Sequence, residues 1–415
     1  MSDILLEAQR CLKCKRPLCQ QGCPVQTEIP LIMQMFLEGK MDEAGEILFK
    51  NNPLSAVCSL ICPHEKNCMG HCVLNRKDMP IKFYEVENYI STFYLEKAKL
   101  QQTEKNGHLV GIIGAGPAGI TLAVLLAQKG YNVTIIDSKD KIGGVLRYGI
   151  PEFRLPKSLL DKLLGRMTEL GIQFRPNTLI GPTITIDDMF EDGYDAIFIG
   201  TGVWKPNRLR IPGETFGNVH FAIDFLKNPD SYQELGDHVL IIGAGNVAMD
   251  AARTILRKTR AKVDIIFFRG REEVTALKEE LQLAEVDGAR MNYYLNTVSI
   301  EKDGIIVEPV LKQQQEDGSV TYYNDSEHAY KIEGSSVIIA IGQGAQTNIV
   351  KNTKQIDTNQ KGLIEASEKG ATTRPGVYAA GDVVSGARTV VEAVAATKKV
   401  AIEIDQYIKN KYNEQ

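Results

Sequence analysis

A chain of 415 residues exceeds what one hydrophobic core supports, because single cores stop growing near roughly 250 residues, so two or three domains are expected. Hydrophobic residues make up 43% and charged residues 24%, a soluble globular balance, and a net charge of −4 gives no general attraction to nucleic acid or to an anionic membrane. No apolar stretch approaches the roughly 20 residues of a membrane span and no basic-then-apolar leader opens the chain, which points to the cytoplasm.

The first element is cysteine-rich. Cys11, Cys14, Cys19 and Cys23 are spaced C-x₂-C-x₄-C-x₃-C, with Pro24 following, and Cys58, Cys62, Cys68 and Cys72 form a second group, C-x₃-C-P-x₄-C-x₃-C. Structural disulfides are rare in a reducing cytosol, so zinc, iron–sulfur or reactive thiols remain. Structural zinc uses short paired knuckles, and the 34 residues between Cys23 and Cys58 are long for a finger. A cysteine before proline in each group resembles bacterial ferredoxin runs, where that residue ligates the other cluster of a pair. The balance favours iron–sulfur over zinc or free thiols. Apolar residues at helical spacing in "IPLIMQMFLEGKMDEAGEILFKNN" make residues 1–104 an expected helical iron–sulfur domain.

The polar run "QQTEKNGH" reads as a linker, after which the texture changes to short β-branched runs ending in glycine. In "HLVGIIGAGPAGITLAVLLAQKGYNVTIID", Gly114, Gly116 and Gly119, with Pro117 and Ala118 between them, make G-x-G-x-x-G between a strand and a helix. The glycines permit a tight turn, backbone approach to a pyrophosphate and helix–strand packing. Asp137 ends the next strand, where a carboxylate can accept from ribose hydroxyls. The pattern recurs in "DHVLIIGAGNVAMDAARTILRKTRAKVDIIFFR" as Gly243, Ala244, Gly245, Asn246 and Val247 ahead of Ala248, the G-x-G-x-x-A variant. No acid ends the following strand. Arg269 and Arg271 stand there instead, and a guanidinium suits a 2′-phosphate, which favours NADPH with NADH as the alternative.

Short buried strands are also expected at 194–202, 335–344 and 376–382, and the alternation and Asp-Gly turn of "VSIEKDGIIVEPVLKQQQEDGSVTYYN" predict a β-meander. The expected fold is therefore α/β, with two Rossmann-like dinucleotide-binding domains, the second inserted in the first, preceded by the helical iron–sulfur domain. The expected boundaries are 1–104 for the thiols, 105–230 with 336–415 for FAD, and 231–335 for NAD(P)H. Two such domains imply that a nicotinamide and a flavin face each other so that hydride can pass.

The stretch "KIGGVLRYGIPEFRLPK" carries Gly143 and Gly144, Val145 and Arg154, and "GVYAAGDV" places Gly381 and Asp382 after a strand. In these residues the sequence resembles the two-dinucleotide flavoprotein reductases, whose late G-D motif binds the FAD ribityl chain. The resemblance implies FAD on the first unit, with Thr389 adding to its site, and NAD(P)H on the second, with Gly342 adding there. Cysteine segment, "GAGPAG", "YGIPEFRLPK", "GAGNVAMDAAR" and "GVYAAGDV", in this order, are similar to the glutamate synthase small chain and the N-terminal half of dihydropyrimidine dehydrogenase. That resemblance spans essentially the whole chain. It implies two [4Fe–4S] clusters, one on Cys11, Cys14, Cys19 and Cys72 and the other on Cys23, Cys62, Cys68 and Glu87 of "FYEVENYI", leaving Cys58 as a buried thiol. A count of eight thiols for two clusters would instead make Cys58 a ligand.

The expected protein is thus an NAD(P)H-oxidising electron-input subunit. It passes hydride to FAD and single electrons through two [4Fe–4S] clusters to a separate, FMN-containing catalytic subunit of a dihydropyrimidine dehydrogenase-like or glutamate synthase-like complex. No general base is assigned, because the chemistry needs positioning and redox tuning. The alternative is a stand-alone FAD/NADPH reductase whose thiols only staple a docking module with zinc. A disulfide reductase does not fit, because it needs C-x-x-C beside the flavin and both thiol groups lie outside the nucleotide domains.

Overall fold

The computed structural model of the chain describes residues 2–232, 234–315 and 319–413. Contacts divide the chain into two compact units, Met1–Arg147 with Glu152–Val203 and Gly344–Gln415, and Tyr148–Pro151 with Trp204–Gln343.

The first unit begins with helices Ile29–Leu37, Met41–Asn51, Ser55–Ile61 and Phe83–Lys97. Ile29, Ile32, Met33 and Phe36 recur at helical spacing and are buried, so the first of these presents one apolar face. That face meets Leu48, Val86 and Ile90 in a core of its own. Along Phe83–Lys97 the buried row also includes Glu87 and Ser91, two polar side chains drawn into the thiol region.

A five-stranded parallel sheet follows, in the order Val377–Ala379, Ala196–Ile199, Leu109–Ile113, Asn132–Ile136, Gln173–Arg175. Its central strands Leu109–Ile113 and Ala196–Ile199 are continuous apolar runs because both faces are covered, and Val110, Ile112, Ile197 and Phe198 are wholly buried. Helix Pro117–Ala127 is apolar all round and packs against the long helix Val390–Asn413. The helical segment that carries the thiols joins this layer directly. Lys162 pairs with Glu96, Arg166 donates to the carbonyl of Ala98, and Lys398 Nζ donates to Asn51 Oδ1 at 2.5 Å.

The second unit has its own parallel sheet, Val219–Phe221, Ser336–Ile339, His238–Ile242, Lys262–Phe267, Arg290–Tyr293. A four-stranded antiparallel sheet completes it: Leu295–Glu301, Gly304–Gln314 and Val320–Asn324 follow the expected meander, but Tyr330–Glu333 returns to pair with the start of Gly304–Gln314 rather than with Val320–Asn324. The Asp303–Gly304 pair joins the first two of these strands; the other Asp-Gly pair, 317–318, lies outside the described residues.

The expected boundaries at 230/231 and 335/336 are corrected by these pairings. Val219–Phe221 and Ser336–Ile339 lie in the second sheet, so the chain changes unit at 203/204 and 343/344. A short run of Val and Ile reads the same in either parallel sheet, and only its long-range partners decide which one it enters. Residues 1–104 form a distinct core but belong to the same unit as the first parallel sheet. Among the described residues no helix is long and apolar enough to cross a membrane.

Candidate cofactor sites

The thiols are held in two neighbourhoods. Cys11, Cys14, Cys19, Cys68 and Cys72 line one cavity, walled by Leu12, Leu18, Ile29 and Phe83. Burial pushes the Cys11 thiol up and that of Cys19 up to about 11, and the charges of Cys14 and Cys72 add to both shifts. Backbone N–H groups at Lys13 and Gln20 act the other way by pointing at the sulfurs. Ile81 N–H donates to Cys72 Sγ at 3.5 Å.

Cys23, Cys58, Cys62, Cys68 and Glu87 form the second neighbourhood. Burial pushes the Cys58, Cys62 and Cys68 thiols well above the ordinary range, and Glu87 and Cys23 add to each. Asn67 Nδ2 donates to Cys62 Sγ at 3.1 Å, and Cys23 Sγ lies 3.5 Å from Thr27 Oγ1. Glu87 Oε1 accepts from Ser55 Oγ at 2.7 Å, while Ser91 Oγ donates to Ser55 Oγ at 2.9 Å. Burial raises Glu87 to about 7, with the Ser55 hydrogen bond opposing. His64, two residues after Cys62, stacks on Tyr84 with ring centroids 4.3 Å apart, and its buried Nε2 has no partner among the described residues.

The two ligand sets implied by family resemblance are thus each brought together, and Cys58 sits with the second. Among the described residues no three His, Cys, Asp or Glu side chains close on a single metal ion; the thiols of the first neighbourhood instead line a cavity. Such a set fits an iron–sulfur group, because thiols that burial keeps protonated become stable thiolates once a cationic centre shares their cavity.

In the first glycine loop each glycine has its own constraint. Gly114 has φ +108° and a Cβ there would lie 2.6 Å from the carbonyl oxygen of Gly200; at Gly119 it would lie 1.9 Å from that of Gly114. At Gly116 the nearest atom is 3.9 Å away, so the backbone there is open to a close-approaching phosphate at the start of helix Pro117–Ala127. Gly144 packs on this loop, its φ +52° and a Cβ 2.8 Å from Gly116 Cα admitting only glycine. Asp137 has a role not foreseen from sequence: Oδ2 accepts from Ala115 N–H at 2.6 Å and Oδ1 from Lys139 N–H at 2.8 Å, so the carboxylate braces the loop. Val145 opens helix Val145–Tyr148, and Arg154 is half-buried in the turn beyond it.

Gly381 brings the late motif to the same loop, since a Cβ there would lie 3.2 Å from Ala118 Cβ. Asp382 is pushed up to about 6 by burial, although Arg388 N–H donates to Oδ1 at 3.2 Å. A half-buried carboxyl raised in this way fits hydroxyl donors from a bound ligand. Thr389 is a helix cap. Its hydroxyl and backbone N–H donate to Glu392 Oε2 at 2.5 and 3.0 Å, and Glu392 N–H returns to Thr389 Oγ1 at 3.4 Å. The signal for it, T-x-x-E before an apolar run, is present in the sequence.

In the second unit Gly243 has φ +117° with a would-be Cβ 2.4 Å from the Ala340 carbonyl oxygen, whereas Gly245 opens on space, its nearest atom 3.6 Å away. Ala248, in the third position, is fully buried. Asn246 Oδ1 accepts from Leu277 N–H at 2.9 Å, and Val247 packs on the core. Gly342 has φ +91° and accepts from Asn207 N–H through its carbonyl at 3.0 Å. The two arginines differ. Arg271 is already gripped by both oxygens of Glu285, at 2.5 and 2.7 Å, from helix Lys278–Asp287. Arg269 is half-exposed, stacked 5.0 Å from Phe268 and 5.4 Å from Tyr322, with a looser Glu273 contact at 3.8 Å. The two arginines expected at a 2′-phosphate thus differ in how closely a carboxylate already engages them.

Two family models match the chain. Residues 108–397 match the pyridine nucleotide-disulphide oxidoreductase family, and residues 1–99 match dihydropyrimidine dehydrogenase domain II, 4Fe-4S cluster. A glutamate synthase [NADPH] small chain of Halomonas elongata is 31% identical over 98% of this chain and 91% of its own length. The NAD-dependent dihydropyrimidine dehydrogenase subunit PreT of Salmonella typhimurium is 31% identical over 97% of this chain and 94% of its own. In fold, the chain is similar to Mycobacterium tuberculosis FprA in complex with NADPH, with a TM-score of 0.65 at 17% identity over 74% of this chain and 86% of that one. The chain therefore belongs to the pyridine nucleotide-disulphide oxidoreductase family, alongside glutamate synthase small chains and PreT subunits, as an oxidoreductase that binds FAD, a nicotinamide nucleotide and 4Fe–4S clusters.

Proposed function

We propose that the protein is the NAD(P)H-oxidising input subunit of a cytoplasmic complex, delivering single electrons through two [4Fe–4S] clusters to an FMN-containing catalytic partner. The observation that carries this reading is the hydrogen-bonded contact between the first parallel-sheet layer and the second thiol neighbourhood. Helix Val390–Asn413 touches the late G-D motif near its start, and five residues beyond Ala393 its Lys398 reaches Asn51, which donates through Nδ2 to Thr27 Oγ1 at 3.4 Å. A bound flavin accepts a hydride as an electron pair and releases electrons singly, which is the conversion that a nicotinamide donor and iron–sulfur acceptors require.

The chain's residues do the positioning. Gly114, Gly116, Gly119 and Gly144 shape the cradle for the FAD pyrophosphate, Asp137 fixes it, and Asp382 offers its carboxyl to the ribityl hydroxyls. Gly243 and Gly245 do the same for the nicotinamide nucleotide, and Arg269 favours NADPH over NADH by pairing with a 2′-phosphate. Cys11, Cys14, Cys19 and Cys72 hold one cluster, and Cys23, Cys62, Cys68 and Glu87 the other. Relatives that are subunits of glutamate synthase and of dihydropyrimidine dehydrogenase support a catalytic partner of one of these two types.

Anaerobically purified protein is expected to contain about eight irons, matching sulfide and one FAD per chain. Zinc with flavin and no acid-labile sulfide would overturn the reading and leave the thiols a structural staple.

A further inference from the structure

We infer that Lys398 is a positioning residue for electron transfer, its ammonium fixed beside Cys23 so as to raise the reduction potential of the iron–sulfur group held there. The inference rests on the ligand assignment proposed above. Lys398 stands on the helix Val390–Asn413, whose start is fixed by the reciprocal Thr389–Glu392 cap. Ala393 of the same helix lies 3.8 Å from where a Cβ at Gly381 would be, so the helix touches the G-D motif. Five residues at about 1.5 Å each place Lys398 roughly 7.5 Å further along it.

The ammonium does not extend to solvent as that of neighbouring Lys399 does. It is half-buried, donates to Asn51 Oδ1 at 2.5 Å, and is led by Asn51 Nδ2 and Thr27 Oγ1 to Cys23 Sγ, in steps of 3.4 and 3.5 Å. Burial pulls the ammonium down, and the charge of Cys23 acts on it in the opposite direction. One-electron reduction of an iron–sulfur group held by Cys23 would add a negative charge to that group. A fixed cation in a medium of low dielectric stabilises that charge more than bulk water would. Net charge and hydrogen bonding near the sulfurs are levers that set the potential of such groups. A purely structural role, in which Lys398 only ties helix Val390–Asn413 to helix Met41–Asn51, predicts no change in potential when the charge alone is removed.

Lys398→Gln keeps a donor for Asn51 and removes the charge; Lys398→Arg keeps both. The readout is the midpoint potential of each cluster in an EPR-monitored redox titration of the full chain, with iron content and thermal stability as controls. In Lys398→Gln one of the two potentials is expected to fall. At the ambient potential that half-reduces the wild-type cluster, the reduced-to-oxidised ratio should drop about tenfold, equivalent to about 59 mV for one electron. The other cluster and Lys398→Arg should stay near wild type. Should Lys398→Gln lose iron, Asn51→Asp, which leaves the ammonium and opposes its charge, is expected to lower the same potential. Clusters present with potentials unmoved in the charge-changing variant would overturn this inference alone, whereas a wild-type protein lacking clusters would overturn the functional reading and this inference together.

Discussion

Gly119→Ala is expected to yield protein without bound flavin. The backbone at Gly119 is ordinary first-turn helix, so the cost is steric rather than conformational: the new Cβ would sit 1.9 Å from the carbonyl oxygen of Gly114 and 3.2 Å from Ile112 Cγ2. Neither neighbour can yield. Gly114 is the tight turn itself, at φ +108°, and Ile112 is a wholly buried residue of a central strand. The helix must therefore move off the strand, which carries away the helix N-terminus and the open backbone at Gly116 together. Forced overpacking of this kind costs typically about 1–3 kcal/mol and at times more. The second unit supplies the control, because Ala248 fills the corresponding place there natively and is fully buried. Ala248→Gly should cost only about 1 kcal/mol, the usual helix-interior penalty of glycine, and leave the flavin in place. The visible spectrum and thermal unfolding of the two variants check this. Full flavin occupancy in Gly119→Ala would show that the first loop is not the FAD cradle.

The next largest effect is expected at Glu87. It is nine-tenths buried, with a relative exposure of 8%, on a helix face that otherwise carries Phe83, Val86, Ile90 and Tyr94. Its hydrogen bonds run to Ser55 and through it to Ser91, both hydroxyls, with no cation among those partners. A carboxyl raised to about 7 by burial binds a proton more tightly in the fold than unfolded. In cluster-free protein its favourable contribution is therefore present below about 4.5 and lost as the pH rises through about 7. Retaining such a group at neutral pH is costly unless a cationic centre accepts its charge. Glu87→Ala is accordingly expected to halve the iron, from about eight to about four per chain, by opening the second cluster. Cys58→Ser, by contrast, should leave the iron unchanged. Iron and sulfide analysis with EPR of the reduced protein separates the outcomes, and the reverse pattern would make Cys58 the ligand and Glu87 a buried acid.

What the sequence disclosed follows physical locality. The strand–turn–helix pattern that carries Gly114, Gly116 and Gly119 is local in sequence and made them legible, although the atom that forbids a side chain at Gly114 belongs to distant Gly200. The eight thiols were legible for the same reason, with the ligand sets drawn from family resemblance rather than spacing. Long-range pairing was not. Ser336–Ile339 is four buried residues with nothing to say which of two parallel sheets they enter, and the predicted boundary moved with them. The pairing of Arg271 with Glu285, fourteen positions away, gave no sign in the sequence either. Lys398 and Asn51 are separated by 347 positions, so their contact exists only in the fold. The Thr389–Glu392 cap is the instructive case, since its signature was visible and the fold gives Thr389 a structural duty at the position expected to bind cofactor.

The central claim is that electrons from the nicotinamide pass beyond the flavin into the thiol domain of the same chain. Its most direct test is an anaerobic titration of the full protein with NADPH, followed by visible spectra and by EPR of frozen samples. The account predicts that reduction continues past the one equivalent that FAD alone consumes, with iron–sulfur absorbance bleaching and reduced-cluster EPR signals appearing. Reduction that stops at one equivalent, with the iron–sulfur chromophore present but EPR-silent and unbleached, would contradict it.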